Sequence, residues 1–94
     1  MSLEVDKAGN KTKGNPITMD AVMKILEPYK ECLECLDMNV DQEQTVFNLV
    51  LAFASYAKSY DLYKELERYM NIGVNHGRDR ESGKYLVIIQ VYLV

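Results

Sequence analysis

The chain has 94 residues and a formal net charge of −3, and 48% of its residues are hydrophobic. This length and composition predict a single globular domain, and the acidic balance disfavours a large nucleic-acid footprint, which requires clustered positive charge. The sequence has no run of eighteen apolar residues and no apolar segment near its first residue, so we expect neither a membrane span nor a secretory signal. Two cysteines are too few for a typical secreted disulfide scaffold, so we expect an intracellular, cytoplasmic protein.

The first residues differ in composition from the rest of the chain. Residues 1–15 are polar and contain three lysines and two glycines, which predicts a disordered tail before one small domain over residues 16–94. A first helix is expected to begin near Pro16, because proline suits the first helical position, and Thr18 is a second candidate for its start as an N-cap.

The middle of the chain has the periodicity of helices. An apolar stripe at helical spacing continues past Pro28, so we expect a kink or a break at that proline and a second short segment to about Met38. Asp41 follows as a turn residue and a candidate N-cap. Residues 42–70 contain neither Gly nor Pro and keep helical periodicity, and residues 49–54 are apolar all round, as in a buried helix. The sequence thus predicts one long second helix.

The last residues have the composition of a strand. Residues 71–84 are polar, and residues 85–94 are rich in β-branched and aromatic side chains, with Gln90 as the one polar residue. A lone strand cannot satisfy its backbone, so its partner should be either a short hairpin strand from residues 71–76 or a strand of another chain. The expected fold is α+β and mainly α: two antiparallel helices, the first kinked at Pro28 and the second long, followed by a C-terminal strand or short hairpin.

The reactive residue types form no recognisable catalytic, cofactor or metal site. Cys32 and Cys35 have the spacing of a redox or metal pair, but acidic neighbours disfavour a thiolate and further ligands are missing, so packing is the favoured interpretation. His76 is the single histidine, and without a motif that ties a nucleophile to it we expect a solvated loop residue. A non-enzymatic protein without a cofactor is therefore predicted.

An acidic stretch follows the first predicted helix. Glu27, Glu31 and Glu34 are spaced four and three residues apart, which is typical of the solvated face of a helix. An acidic patch for a basic partner is the alternative interpretation. The spacing does not match a calcium-binding loop.

Exposed aromatic and apolar residues favour an interaction protein. A partial stripe at helical spacing is formed by Tyr56, Tyr60, Tyr63 and Tyr69. Tyrosines occur both at core rims and at interfaces, because they bury area and keep a polar tip. Together with the apolar strand they exceed what so small a core can bury, so we expect a homodimer or a complex with another protein. The leading hypothesis is a self-associating interaction or regulatory module. The residues expected at its interface are Tyr56, Tyr60, Tyr63, Ile88, Val91 and Leu93.

The alternative hypothesis is a winged-helix DNA-binding regulator. In that arrangement residues 60–70 enter the major groove and the 76–84 loop forms the wing, with Arg78, Arg80 and Lys84 on phosphates. Uninterrupted periodicity before the recognition helix, and the acidic residues within it, argue against this alternative. Nucleic acid is therefore second to protein as the expected partner.

Overall fold

The computed structural model describes residues 15–93, which form two α-helices and one four-stranded antiparallel sheet. The elements are, in chain order, α1 (Met19–Leu26), a 3₁₀ turn (Glu27–Tyr29), β1 (Leu33–Val40), β2 (Val46–Phe53), α2 (Tyr56–Leu66), β3 (Ile72–Arg78) and β4 (Tyr85–Tyr92). The predicted disordered tail, residues 1–15, lies outside the described residues except for Asn15.

The sheet has the strand order β1-β2-β4-β3, so β2 and β4 are central and β1 and β3 are the edges. Both helices pack on the same face of the sheet. Alternate residues of each central strand point to that face, so the core lies between the sheet and the helices. The other face, which we call the open face, carries no helix of the described chain and exposes Ile88 and Gln90. The fully buried core side chains are Val22, Phe47, Leu49, Leu51, Phe53, Leu62, Leu66, Val87, Ile89 and Val91.

The mainly α prediction is wrong, because the described chain is mainly β and contains two short helices. The long helix predicted over residues 42–70 is interrupted: its first part is the central strand β2, and α2 begins only at Tyr56. Of the apolar stretch 49–54, all residues except Ala54 belong to β2, which lies between β1 and β4, so the all-round hydrophobicity reflects a central strand. The short helical segment predicted up to Met38 is also wrong, since β1 begins at Leu33.

Three local predictions are confirmed. Thr18, the second candidate for the start of the helix, is the N-cap of α1, and its hydroxyl accepts a hydrogen bond from the backbone N–H of Ala21 at 3.1 Å. The first candidate, Pro16, is wrong, because α1 begins at Met19. The α-helix ends at Leu26 and passes into a 3₁₀ turn that contains Pro28. The C-terminal strand is β4, and its hairpin partner comes from the predicted region as β3.

The β1–β2 turn is organised by Asp41, which caps a turn and not the predicted helix. Its carboxylate accepts hydrogen bonds from the backbone N–H groups of Thr45 at 2.6 Å and Val46 at 2.9 Å, and from the Thr45 hydroxyl. These hydrogen bonds, above all that from the hydroxyl, hold the pKa of Asp41 below its ordinary value of 3.8. Gln44 completes the turn with a φ of 59°, a left-handed conformation that more often marks Gly or Asn.

The lowered pKa of Asp41 predicts a pH-dependent contribution to stability. A carboxyl group that is more acidic in the folded chain stabilises it fully above the ordinary pKa, and this stabilisation is lost as the pH falls through the folded pKa. We therefore expect Asp41→Asn to unfold at less urea than the wild type at neutral pH, with the two midpoints converging in acid. Urea unfolding followed by circular dichroism at several pH values measures this. A difference between the two urea midpoints that stayed constant across the acid range would show that the charge of Asp41 contributes nothing to stability.

Candidate protein-interaction surface

The position of α2 follows from its buried stripe. Ser55 caps the helix by accepting a hydrogen bond from the Lys58 N–H, and Ser59, Leu62 and Leu66 are buried towards the sheet. Tyrosines at positions 56, 60 and 63 recur at four- and three-residue spacing, which places them along one flank of the helix. The side chains of Tyr56 and Tyr60 are 54% and 40% exposed, so this flank is accessible.

The edge strand β3 brings His76 against that flank. His76 pairs with Val87 of β4 and lies on the same side of β3 as Ile72 and Val74, which is the side that faces α2. Its ring lies 5.4 Å from that of Tyr56 and 5.5 Å from that of Tyr63, where the two rings are stacked. The imidazole therefore connects α2 to the edge of the sheet.

The aromatic contacts extend into β4 and form one continuous surface. The Tyr85 ring lies 5.4 Å from that of Tyr56 in an edge-to-face arrangement, and the Arg78 guanidinium lies 5.7 Å from the centre of the Tyr85 ring. Tyr60 stacks on Tyr56 with their ring centres 5.9 Å apart. We call this region the α2–β3 surface, and define it by Tyr56, Tyr60, Tyr63, His76 and Tyr85.

A buried serine fixes the orientation of the histidine. Ser59 is fully buried, and its hydroxyl oxygen lies 2.7 Å from the Tyr56 carbonyl oxygen and 2.8 Å from Nε2 of His76. These distances place the one hydroxyl proton either on the carbonyl, with Nε2 donating to the oxygen, or on Nε2, according to the tautomer of the imidazole. In both tautomers the contact with Ser59 fixes the orientation of the His76 ring against α2.

This serine–histidine contact is not the pair of a nucleophile and its base. Ser59 is fully buried, so its hydroxyl is inaccessible to a substrate. The Tyr63 phenol is also protonated, because the negative charge of Glu67 raises its pKa and a hydrogen bond to that carboxylate adds to the effect. The arrangement brings the rings of Tyr56, Tyr63 and His76 together between α2 and β3.

The structure separates the residues that the sequence assigned to one interface. Tyr56, Tyr60 and Tyr63 are brought together, whereas Ile88 lies 39% exposed on the open face. Val91 is fully buried opposite Phe47, and Leu93 packs against the core. Val91 is therefore a core residue of this fold and cannot contact a partner without unfolding.

The basic residues assigned to a DNA contact do not form one cluster. Arg78 lies over the Tyr85 ring at the end of β3, while Lys84 is bonded to Glu34 across the sheet, with Nζ and Oε1 3.0 Å apart. Arg80 is exposed in the β3–β4 loop. The residues expected to form a recognition helix belong to α2 only up to Leu66, and its inner face packs on the sheet. These positions give the DNA-binding alternative no added support.

Other candidate chemistry stays dispersed over the described chain. Cys32 and Cys35 are exposed free thiols, so the predicted packing role does not hold for either side chain. Within residues 15–93 no group of three or more His, Cys, Asp or Glu side chains is arranged to hold a metal ion. An apolar cleft of about 170 Å³ lies between α1 and β1, with Met23, Leu26 and Met38 in its lining. Small-molecule pockets typically measure about 300–1,000 Å³, so this cleft is small for a ligand.

The sequence contained a signal for His76 that helical reasoning missed. Ile72, Val74 and His76 alternate with Gly73 and Asn75, and this period of two places the histidine on the inner face of a strand. Because residues 71–84 were interpreted as a polar connection, His76 was assigned to a solvated loop and not to the inner face of a strand. Ser59 and Tyr85 carry no such local signal, because their roles depend on long-range packing.

Comparison with known proteins gives this surface no precedent. No family model matches the chain, and no curated protein or solved structure matches it either. Neither helix among residues 15–93 is long and apolar enough to cross a membrane. A functional assignment must therefore be argued from the geometry of the chain itself.

Proposed function

We propose that this chain is a small, non-enzymatic protein-interaction module that contacts its partner through the α2–β3 surface. The observation that carries the proposal is a continuous cluster of aromatic rings beside an edge strand, in which Tyr56 and Tyr60 are exposed. Tyrosines are enriched at the centres of protein interfaces, where their large rings bury area at a low cost in conformational entropy. An exposed edge strand adds backbone groups that a partner can pair with.

The rigidity of the surface supports the same function. His76 is held by Ser59, and its ring touches those of Tyr56, Tyr60 and Tyr63, so the cluster is ordered before any partner arrives. A preorganised surface loses little side-chain freedom on binding, which favours affinity. The open face of the sheet is less suited, because it mixes apolar side chains with exposed polar ones such as Gln90.

The test is selection of binders from a random library of twelve-residue peptides displayed on phage, with the full chain as bait. We expect binders whose contacts, mapped by amide chemical shifts, fall on α2 and β3. Tyr60→Ala should weaken these binders about tenfold or more, because hot-spot aromatics typically contribute more than 1 kcal/mol and often above 2. Tyr92→Ala is the matched control, since Tyr92 is 45% exposed on the open face. Binders that mapped to the α1–β1 cleft, or that ignored Tyr60→Ala, would refute the assignment.

A further inference from the structure

Among residues 15–93, β3 has a partner strand on one side only, and the hydrogen bonds at its two ends show which backbone groups point to the other side. The Asn71 carbonyl accepts from the Tyr92 N–H at 2.8 Å, and the Asp79 N–H donates to the Lys84 carbonyl at 2.8 Å. In an antiparallel pair the hydrogen-bonded residues alternate, so the odd-numbered residues of β3 bond to β4. The backbone N–H and C=O groups that point away from the sheet therefore belong to Ile72, Val74, His76 and Arg78.

This edge lacks the features that usually protect an edge strand. β3 pairs with β4 in unbroken register, contains no proline, and has one charged residue, Arg78, at its end. The other edge strand, β1, is protected, because a β-bulge interrupts it between Cys35 and Asp37 and it carries acidic side chains. Of the two edges, β3 is therefore the one open to a further strand.

The side chains of β3 leave room for such a strand. The positions on its open face are Gly73, Asn75 and Gly77, which are small, and a Cβ atom added to Gly77 would meet nothing within 4 Å. On the inner face an added strand would meet Val74 and His76, beside the exposed tyrosines of α2. A strand added beside β3 would thus contact the α2–β3 surface at His76 and at the exposed tyrosines of α2.

We propose that the partner at this surface is a second copy of the chain, whose β3 pairs antiparallel with the first about a two-fold axis at Asn75. The inference rests on the proposed function and names its partner. In this register each β3 residue whose backbone groups point away from its own sheet pairs with such a residue of the other copy. Val74 lies opposite His76 of the other copy, and Ile72 lies opposite Arg78 of the other copy. The two sheets then form one continuous eight-stranded sheet with the helices on one side, so that the aromatic clusters meet at the axis.

The charges on β3 do not oppose pairing with a second copy. The one charged residue of β3, Arg78, faces an apolar residue of the other copy, so like charges are not opposed across the axis. The two Asn75 side chains face each other on the open face, where their amides can donate and accept in turn. They form a non-hydrogen-bonded pair, in which Cα atoms approach to about 4.5 Å and side chains are closest. Asn75 is therefore the position at which a charge has the largest effect on pairing.

The experiment measures the molecular mass of the full chain by sedimentation equilibrium over a wide concentration range. The wild type should be a dimer, and Asn75→Asp and Asn75→Lys should each raise the dissociation constant about tenfold or more, because each opposes two like charges. An equimolar mixture of these two variants should dimerise again, since opposite charges then meet at the axis. Asn39→Asp, the same change on β1, is the control and should leave the mass unchanged. Circular dichroism verifies that every variant is folded.

Each contrary outcome overturns the proposal in a distinguishable way. A wild type that is monomeric at all concentrations excludes the second copy, while peptide binding that depends on Tyr60 would still support the interaction module. A dimer that tolerates both Asn75 variants excludes pairing through β3. Variants that dissociate but do not recover when mixed exclude the two-fold register about Asn75. Absence of both a dimer and Tyr60-dependent peptide binding would refute the proposed function as well.

Discussion

Replacing Phe53 with alanine should lower the free energy of unfolding by about 3–5 kcal/mol, the usual loss for a buried phenylalanine. Phe53 is fully buried at the end of the central strand β2, and its ring lies 6.2 Å from that of Tyr29 in an edge-to-face contact. The truncation removes this contact and leaves a cavity that the rigid sheet cannot close. A domain of this size has a total stability of about 5–15 kcal/mol, so the variant should be close to unfolding at room temperature.

Urea unfolding, followed by far-ultraviolet circular dichroism, measures the loss. Leu36→Ala is the control, because Leu36 is 50% exposed at the bulge of β1 and its truncation leaves no enclosed cavity. We expect Leu36→Ala to cost less than about 1 kcal/mol. Equal losses for the two variants would mean that β2 is not the centre of the core. That result would contradict the full burial of Phe53.

The position of β2 also explains why the sequence predicted a mainly α fold. Seven of the eight residues in Val46–Phe53 are apolar, and such a run fits a buried helix and a buried strand equally well. The breaks on either side are made by residues that are not strong turn formers. Gln44 adopts a left-handed φ without being Gly or Asn, and the chain passes from β2 to α2 through Ala54 and Ser55. Because no Gly or Pro lies between β2 and α2, the helical periodicity predicted one long helix in place of a strand and a helix.

The local signals were reliable where a single residue decides the backbone. Thr18 as a cap, Pro28 as a break and the β-branched composition of β4 each predicted what the structure contains, because these effects act within one turn or one strand. The spacing of the tyrosines likewise predicted that Tyr56, Tyr60 and Tyr63 share a flank. Tyr69, the fourth tyrosine of the predicted stripe, lies beyond the end of α2 and packs against the core. The histidine at the centre of the cluster could not be placed this way, since its neighbours come from α2 and β4.

Replacing Asn71 with aspartate should be the second most damaging change, with an expected loss of about 2–4 kcal/mol from broken and unsatisfied hydrogen bonds. The Asn71 side chain joins the segment before α1 to the end of β4. Its Oδ1 accepts from the Ile17 N–H at 2.7 Å, and its Nδ2 donates to the carbonyls of Ile17 and Tyr92, each at 2.8 Å. A carboxylate keeps the acceptor but places a negative charge against two carbonyl oxygens.

The control for Asn71→Asp is Asn75→Asp, the same change four residues along the chain. Asn75 is exposed on β3, so its substitution should change the unfolding free energy of the monomer by less than about 0.5 kcal/mol. Both are measured by urea unfolding at a concentration at which sedimentation equilibrium shows a monomer. Protonation gives the new aspartate one O–H donor, so the deficit of Asn71→Asp should narrow in acid, in contrast to a defect caused by lost volume. A loss of unfolding free energy as small as that of Asn75→Asp would mean that Asn71 does not hold the segment before α1. In that case the buried side chains Val22 and Leu26 position α1.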